Sequence, residues 1–271
     1  MITIASGRHG HLAAQAEALA RSSVAPDQYV VVAIDDDEIP AVVPGADVVH
    51  VGRIDGRLPL AAARNAGADR AMAAGAELLV LLDVDCIPAP ELVERYATVA
   101  RGRGGVLCGP VGYLPPAAVD GYPAEALRRL AVPHPARPVP AEDEVLPADD
   151  PDLFWSLSFA APVAAWRAVG GFCEEFSGYG GEDTDFGHAL AKAGIPLWWV
   201  GGAWAFHQHH GGGDGPPVQH LDDVLRNAAV FHRRWGWWPM RGWLDGFERL
   251  GLATCDPVTG QWVRTGVEVP A

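Results

Sequence analysis

The 271-residue sequence predicts an α/β fold: a doubly wound, mostly parallel sheet with helices on both faces, followed by a helical C-terminal extension. Three observations carry that expectation. Through the first hundred residues, short β-branched or aliphatic runs alternate with Ala-rich stretches of helical periodicity. The run Leu78 to Leu82 is continuously hydrophobic, as suits a strand buried on both faces of a parallel sheet. Two runs end abruptly in acidic clusters, Asp35-Asp36-Asp37 and Asp83-Val84-Asp85. In Rossmann-like sheets, ligands bind beyond the carboxyl ends of the strands.

The elements follow in order. Ile2 to Ala5 is a short apolar strand, and the loop Ser6-Gly7-Arg8-His9-Gly10 comes after it. Residues 12–22 place Leu12, Ala16, Leu19 and Ala20 at helical spacing. Tyr29 to Ile34 is a β-branched strand, Val48 to Val51 a third strand, and residues 59–74 a second helix. After Asp85, Pro90 opens a helix through Ala100. From Phe154 the pattern gives a strand at 154–160, a helix at 162–169, a helix at 182–193 and a strand at 196–200. Residues 218–235 and 239–251 read as helices. In between, residues 113–152 hold nine prolines, the acidic stretch Glu142-Asp143-Glu144 and a short helix near 124–131. A connection this long is either a functional lid or a mobile insertion.

Composition narrows the function. Hydrophobic residues make up 49% and charged residues 20%, so the chain can bury a core and is not disordered. A formal net charge of −14 excludes nucleic acid as a partner, since phosphates would be repelled. No apolar run approaches the ~20 residues needed to span a bilayer. The start, MITIASGRHG, lacks the basic start and apolar core of a signal peptide. Cys86, Cys108, Cys173 and Cys255 form neither a CxxC pair nor a disulfide framework. The expectation is a cytoplasmic protein with free thiols.

Three constellations carry chemistry. If the strand continues through Asp83-Val84-Asp85, alternation points both carboxylates the same way, where they can hold a divalent cation that also grips phosphates. Gly178-Tyr179-Gly180-Gly181 precedes Glu182-Asp183-Thr184-Asp185, so glycines allow close backbone approach at a helix start that carries three acids. Acids there are also favoured by capping and by the helix dipole. His207-Gln208-His209-His210, ahead of three glycines, offers imidazoles to a cation shared with Asp85. Trp155, Trp166, Trp198 and Trp199 read as core, whereas Trp235, Trp237 and Trp238 either wall an acceptor site or pack the C-terminal helices.

The N-terminal half resembles the inverting, GT-A-fold glycosyltransferases of family 2 type. The matching residues are the opening strand and loop, the Asp-terminated strand at 29–36, Ala63-Arg64-Asn65-Ala66-Gly67, and LLDVDCIPAP at 81–90. GGFCEEFSGYGGEDTDFGHAL at 170–190 is similar to the C-terminal signature of β-1,4-galactosyltransferases and polypeptide N-acetylgalactosaminyltransferases. Tyr179 stands where the galactosyltransferases have tryptophan, Cys173 where an aspartate is usual, and Ala189 where relatives often have a basic residue.

The resemblance implies a catalytic domain over residues 1–210 that binds a nucleotide-sugar, a UDP-sugar foremost, with residues 211–271 on the side of a hydroxyl-bearing acceptor. It implies a Mn2+ or Mg2+ cofactor, and roles residue by residue. Asp36, or Asp35 beside it, would bind the base, and Ser6 and Arg8 would border the nucleotide. Arg64, Tyr179 and Gly181 fall on the donor side through their motifs. Asp83 would face ribose and donor sugar, and Asp85 would bind the metal with His207, or failing it His209 or His210. Asp183 would take the acceptor proton, with Glu182 contacting sugar hydroxyls. A sugar nucleotidyltransferase, a metal-dependent hydrolase built on the histidines, and a non-catalytic sugar-binding relative stay open as alternatives.

Overall fold

The computed structural model describes residues 1–119, 121–211 and 215–267. Its first part runs β1 (Ile2–Ala5), α1 (His9–Leu19), β2 (Val30–Ile34), α2 (Ile39–Val42), β3 (Asp47–Val51), α3 (Leu60–Ala73) and β4 (Leu78–Leu82). Next come β5 (Cys86–Pro88), α4 (Leu92–Gly102), β6 (Val106–Cys108), β7 (Val111–Tyr113), α5 (Leu127–Leu130), β8 (Val132–Pro133) and β9 (Val145–Pro147). The remainder is β10 (Ser158–Pro162), α6 (Val163–Val169), α7 (Glu182–Lys192), β11 (Leu197–Val200), β12 (Ala205–His207), α8 (Leu221–Trp235), α9 (Arg241–Arg249), β13 (Ala253–Cys255) and β14 (Trp262–Arg264).

Eight strands form the main sheet in the order β3-β2-β1-β4-β10-β6-β11-β9. β1 to β4 are mutually parallel, β10 runs against both its neighbours, and edge strand β9 runs against β11. Because β6 and β11 pair parallel, six of the eight strands share one direction, as the sequence predicts.

Period-two alternation sorts the strand residues onto two faces. Ile2, Val32, Leu79, Leu81 and Phe159 pack with Ala63 of α3, Trp166 of α6 and Phe186 of α7. Val80, Leu82, Leu107 and Ala160 pack with Leu92 and Tyr96 of α4 on the other face. The two cores meet only through the sheet, which is the reason the strands carry uninterrupted apolar runs.

A smaller sheet, β5-β12-β7-β8, sits past the end of β4. The Pro-rich segment contributes to both sheets: β8 pairs with β7, and β9 closes the edge beside β11. Its Arg137 is 9% exposed and stacks on Trp199 at 4.7 Å and Trp155 at 5.3 Å. Both terminal nitrogens of Arg137 lack a hydrogen-bond acceptor among the described residues, so the aromatic faces are its compensation.

The C-terminal part differs from an all-helical extension. α8 and α9 share a core of Leu221, Val224, Leu244 and Phe247 with Trp262 of a β13–β14 hairpin. The turn Asp256-Pro257-Val258-Thr259-Gly260 closes that hairpin, with the Asp256 carboxylate accepting the amides of Val258 and Thr259 at 2.8 and 2.9 Å. No helix among the described residues is long and apolar enough to cross a membrane.

α3 lies close on the sheet at Gly67. A methyl there would stand 2.6 Å from Ile2 Cγ2 and 3.0 Å from Val32 Cγ2. On helix propensity alone Gly67→Ala would gain about 0.5–1 kcal/mol, but overpacking a filled core costs about 1–3 kcal/mol. The clash wins, so Gly67→Ala should lower the thermal midpoint. A raised midpoint would show that α3 can lift from the sheet at no cost.

Candidate active site

The residues 83–86 form a turn rather than a continued strand. β4 stops at Leu82, and the Cys86 amide bonds back to the Asp83 carbonyl at 2.9 Å. Strand alternation therefore does not apply, and the two carboxylates diverge. Asp83 accepts from Arg64 Nη2 at 3.2 Å, whereas Asp85 faces Arg8, His207 and His210. Gln15 of α1, fully buried, fixes this turn from beneath: its Nε2 donates to the carbonyls of Asp83 at 2.7 Å and Cys86 at 3.0 Å. Thr3 and Tyr29 hydroxyls hold its Oε1 at 2.7 and 2.9 Å.

Sheet register brings the histidines to Asp85. β12 pairs antiparallel with β5, setting His207 opposite Cys86, and the Gln208 amide donates to the Asp85 carbonyl at 2.7 Å. His207 Nε2 lies 3.6 Å from Asp85 Oδ1, and His210 Nε2 lies 3.0 Å from Oδ2. One ligand atom from each of Asp85, His207 and His210 falls within 4.8 Å of the others. His209 is outside this group; it is exposed, and its amide bonds the Tyr122 hydroxyl at 3.1 Å. Because the strand ends at His207, the two-residue period stops and the chain turn delivers His210 instead.

Arg64 joins the other acids. Its guanidinium, 5% exposed, donates from Nη1 to Glu182 at 3.1 Å and from Nη2 to Asp83, and lies 3.9 Å from Asp183. Asp83 and the 182–183 pair, a hundred residues apart, thus flank one cation. Three carboxylates share a single positive charge, and burial acts on all of them. Burial pushes Glu182 up to about 7, helped by the Asp183 charge and opposed by Arg64. Asp83 rises to about 6, first through burial, with Arg64 opposing and Asp85 and Asp183 adding. At Asp85 burial also acts upward, but His210, His207 and Arg8 outweigh it and hold the carboxyl at about 2.

Asp183 sits in the first turn of α7, whose Gly181 cap takes φ 91°. Ser156 orients it twice, through its amide to Oδ2 at 3.1 Å and its hydroxyl to Oδ1. Asp185, one turn face away, is structural: Arg234 grips it at 2.6 and 3.3 Å and Trp235 Nε1 donates at 2.7 Å, tying α7 to α8. The Tyr179–Gly181 loop is held from α8 by Asn227, which donates to the Gly180 carbonyl at 2.7 Å.

The loop after β1 closes over the end of β2. Gly7 N donates to Asp36 Oδ2 at 2.7 Å, and His9 Nε2 meets the same oxygen at 2.9 Å. Arg53 pairs with Asp35 at 3.2 Å and reaches Ser6 Oγ at 3.4 Å. Ser6, Arg8, Asp35 and Asp36 therefore form one rim.

Tyr179 is 39% exposed and stacks on His220 at 4.4 Å and Trp243 at 5.8 Å. The nearby charges of Glu182 and Asp183, behind burial, push its phenol up to about 12. Trp235 and Trp237 instead pack around His188 and Phe231, and Trp238 stacks on His232. The aromatic platform beside the acids is thus Tyr179, His220 and Trp243. Sequence reasoning missed His220, Trp243, Gln15 and Ser156, each of which reaches the site by a tertiary contact.

The raised Glu182 makes stability depend on pH. Its proton is held in the folded chain up to about 7 against an ordinary 4.5, so the folded state binds more protons in that window. Stability falls as pH rises from 4.5 to about 7. Glu182→Gln should make that decline shallower without removing it, since Asp83 acts with the same sign. Urea midpoints at about pH 5 and about pH 7.5 measure it; equal slopes in both proteins would contradict a neutral Glu182.

Residues 149–207, from the segment before Ser156 to His207, match the family model for the N-terminal domain of galactosyltransferase. The chain is 31% identical to a validoxylamine A glucosyltransferase of Streptomyces hygroscopicus subsp. limoneus, over 71% of this chain and 47% of that protein. A second such enzyme, from S. hygroscopicus subsp. jinggangensis, is 30% identical over 71% and 51%. The chain spans about half the length of these curated relatives. In three dimensions it resembles GalNAc-T7, solved with UDP, GalNAc and Mn2+, with a TM-score of 0.56 at 12% identity, covering 92% of this chain and 56% of that one. It also resembles S. aureus TarS in complex with UDP-GlcNAc, with a TM-score of 0.54 at 11% identity, covering 92% and 79%. The chain has the fold of the GT-A glycosyltransferases and is related to glycosyltransferases in sequence.

Proposed function

We propose that this protein moves a hexose from a UDP-sugar to a hydroxyl acceptor by single displacement with inversion, with a divalent cation as cofactor and Asp183 as general base. One observation carries the reading. Asp83, Glu182 and Asp183 converge on Arg64, while Asp85, two residues from Asp83, meets two imidazoles, which supports a metal group and a base acting on one bound donor. The names of the relatives and the ligands of the structural neighbours supply the sugar-transfer context, and glucose is the first donor sugar to test.

The donor set bears on the metal. One carboxylate oxygen and two imidazole nitrogens form a mixed O/N group that suits Mn2+ better than Mg2+, which prefers oxygen ligands. Asp85, His207 and His210 would hold the ion, and it would stabilise the charge growing on the leaving diphosphate. Asp85, kept ionised at about 2, is a ligand at any working pH. His207 is pushed below its ordinary value by burial despite Asp85, which favours the neutral ring a ligand requires.

The chain's own residues then divide the work. The rim of Ser6, Arg8, Asp35 and Asp36 would receive the nucleotide, with Asp35 and Asp36 as acceptors for base N–H groups. Asp83, Arg64 and the Tyr179–Gly181 loop would line the donor sugar, and Glu182 would bond its hydroxyls. A ring-bearing hydroxyl acceptor, such as a sugar, would lie on Tyr179, Trp243 and His220, since aromatic faces suit the apolar faces of such rings. Asp183, with two bonds from Ser156, has lone pairs left to take the acceptor proton as the oxygen attacks. No covalent nucleophile is needed for one displacement.

Two measurements test this. Asp183→Asn should cost roughly 10²–10⁴ in kcat while UDP affinity stays within a factor of about two; wild-type turnover with UDP-glucose and a panel of polyol acceptors would remove the base assignment. Asp85→Ala should abolish the Mn2+-dependent part of UDP binding in calorimetry, and affinity that is equal in both proteins with Mn2+ present would remove the metal reading.

A further inference from the structure

Arg8 lies directly in the path of the proposed cation. Its Nη1 contacts Asp85 Oδ2, the same oxygen that His210 Nε2 approaches at 3.0 Å. We infer that Arg8 is a resident counter-cation of the metal site, which a divalent ion must displace, so that tight metal binding is conditional on a diphosphate able to receive the released guanidinium. The inference rests on the reading of Asp85, His207 and His210 as metal ligands.

Charge balance drives the argument. Asp85 is the single carboxylate of the group, because the other acid of the turn, Asp83, is committed to buried Arg64. One negative charge can neutralise a guanidinium, or part of a divalent ion, but not both at contact distance. A diphosphate brings enough negative charge for the two cations together. Metal and nucleotide diphosphate must then favour each other's binding, and the linkage is reciprocal.

The geometry lets the side chain move while the backbone stays. Arg8 holds φ 52° and ψ 32°, the left-handed region that is costly for a residue with a Cβ. Its neighbours clamp it there: the Gly7 amide and the His9 ring both bind Asp36. The side chain is 40% exposed and has no other ion pair among the described residues. The long stem can therefore swing from Asp85 toward a bound nucleotide without reorganising the loop.

The test is a Mn2+ titration followed by the electron paramagnetic resonance of free Mn2+, with and without saturating UDP. Arg8→Met should tighten binding of Mn2+ alone, and the factor by which UDP improves Mn2+ affinity, roughly 5–150-fold for a coupling of this kind, should shrink toward one. Arg8→Lys keeps the positive charge and should stay close to wild type. Arg101→Met, which removes an exposed charge at the end of α4, should leave Mn2+ affinity unchanged and so excludes a mere net-charge effect. Unchanged or weaker Mn2+ affinity in Arg8→Met, with binding still lost in Asp85→Asn, overturns the role of Arg8. Mn2+ binding that persists in Asp85→Asn, in either background, overturns the metal-site reading itself.

Discussion

A buried guanidinium shared by three carboxylates holds this site in one piece. Arg64 projects from α3, Asp83 ends β4, and Glu182 and Asp183 open α7, so a single side chain ties three elements that meet nowhere else in sequence. Removing one partner from a buried ionic group typically costs about 3–5 kcal/mol, because the survivors stay desolvated and uncompensated. That asymmetry makes α3 rigid by necessity. The close approach at Gly67, one turn further along the same helix, sets the height from which Arg64 reaches over the sheet.

Arg64 also sorts the acids by electrostatics. On its side, negative charge exceeds positive, and burial plus mutual repulsion push Asp83 and Glu182 upward. On the Asp85 side, one carboxylate faces Arg8 and two imidazoles, so its charge is matched by the guanidinium. An acid-rich region and a charge-balanced one, set next to each other, would suit a ligand with a neutral, hydroxylated ring and a diphosphate accompanied by a cation. An overall charge of −14 is then no obstacle, because phosphates here would meet Arg8 and the proposed cation.

Much of this was legible in the sequence wherever the signal was local. The buried run Leu78–Leu82 and its acidic terminus, the Tyr-Gly-Gly approach to Glu182 and Asp183, and the clustered histidines all announce themselves within a few residues. What stayed hidden depends on pairing. A hydrophobic run does not encode direction, so antiparallel β10 between β4 and β6 could not be read. The three-residue strands β5, β6, β7, β9, β12, β13 and β14 are too short to show a period. His210 rather than His209 joins Asp85 because the strand stops at His207, a boundary no composition marks. Gln15 looks like any polar residue of a helix surface, yet it is the floor of the Asp83–Cys86 turn.

The aromatic platform shows the same logic at longer range. Glycines at 178, 180 and 181 take positive φ, and a Cβ at Gly178 would collide with Asp223 at 2.2 Å. The loop can therefore press against α8, where Asn227 and Asp223 bind its backbone at Gly180 and Tyr179. That contact turns Tyr179 onto His220 and Trp243, and the aromatic platform exists only because the C-terminal helices pack there. Asp83 and the proposed nucleotide rim lie past strand ends of the sheet, and Glu182 and Asp183 open α7; the surface beside them belongs to α8 and α9. Changes in acceptor preference should consequently track the helices, since no sheet residue needs to move for the platform to be reshaped.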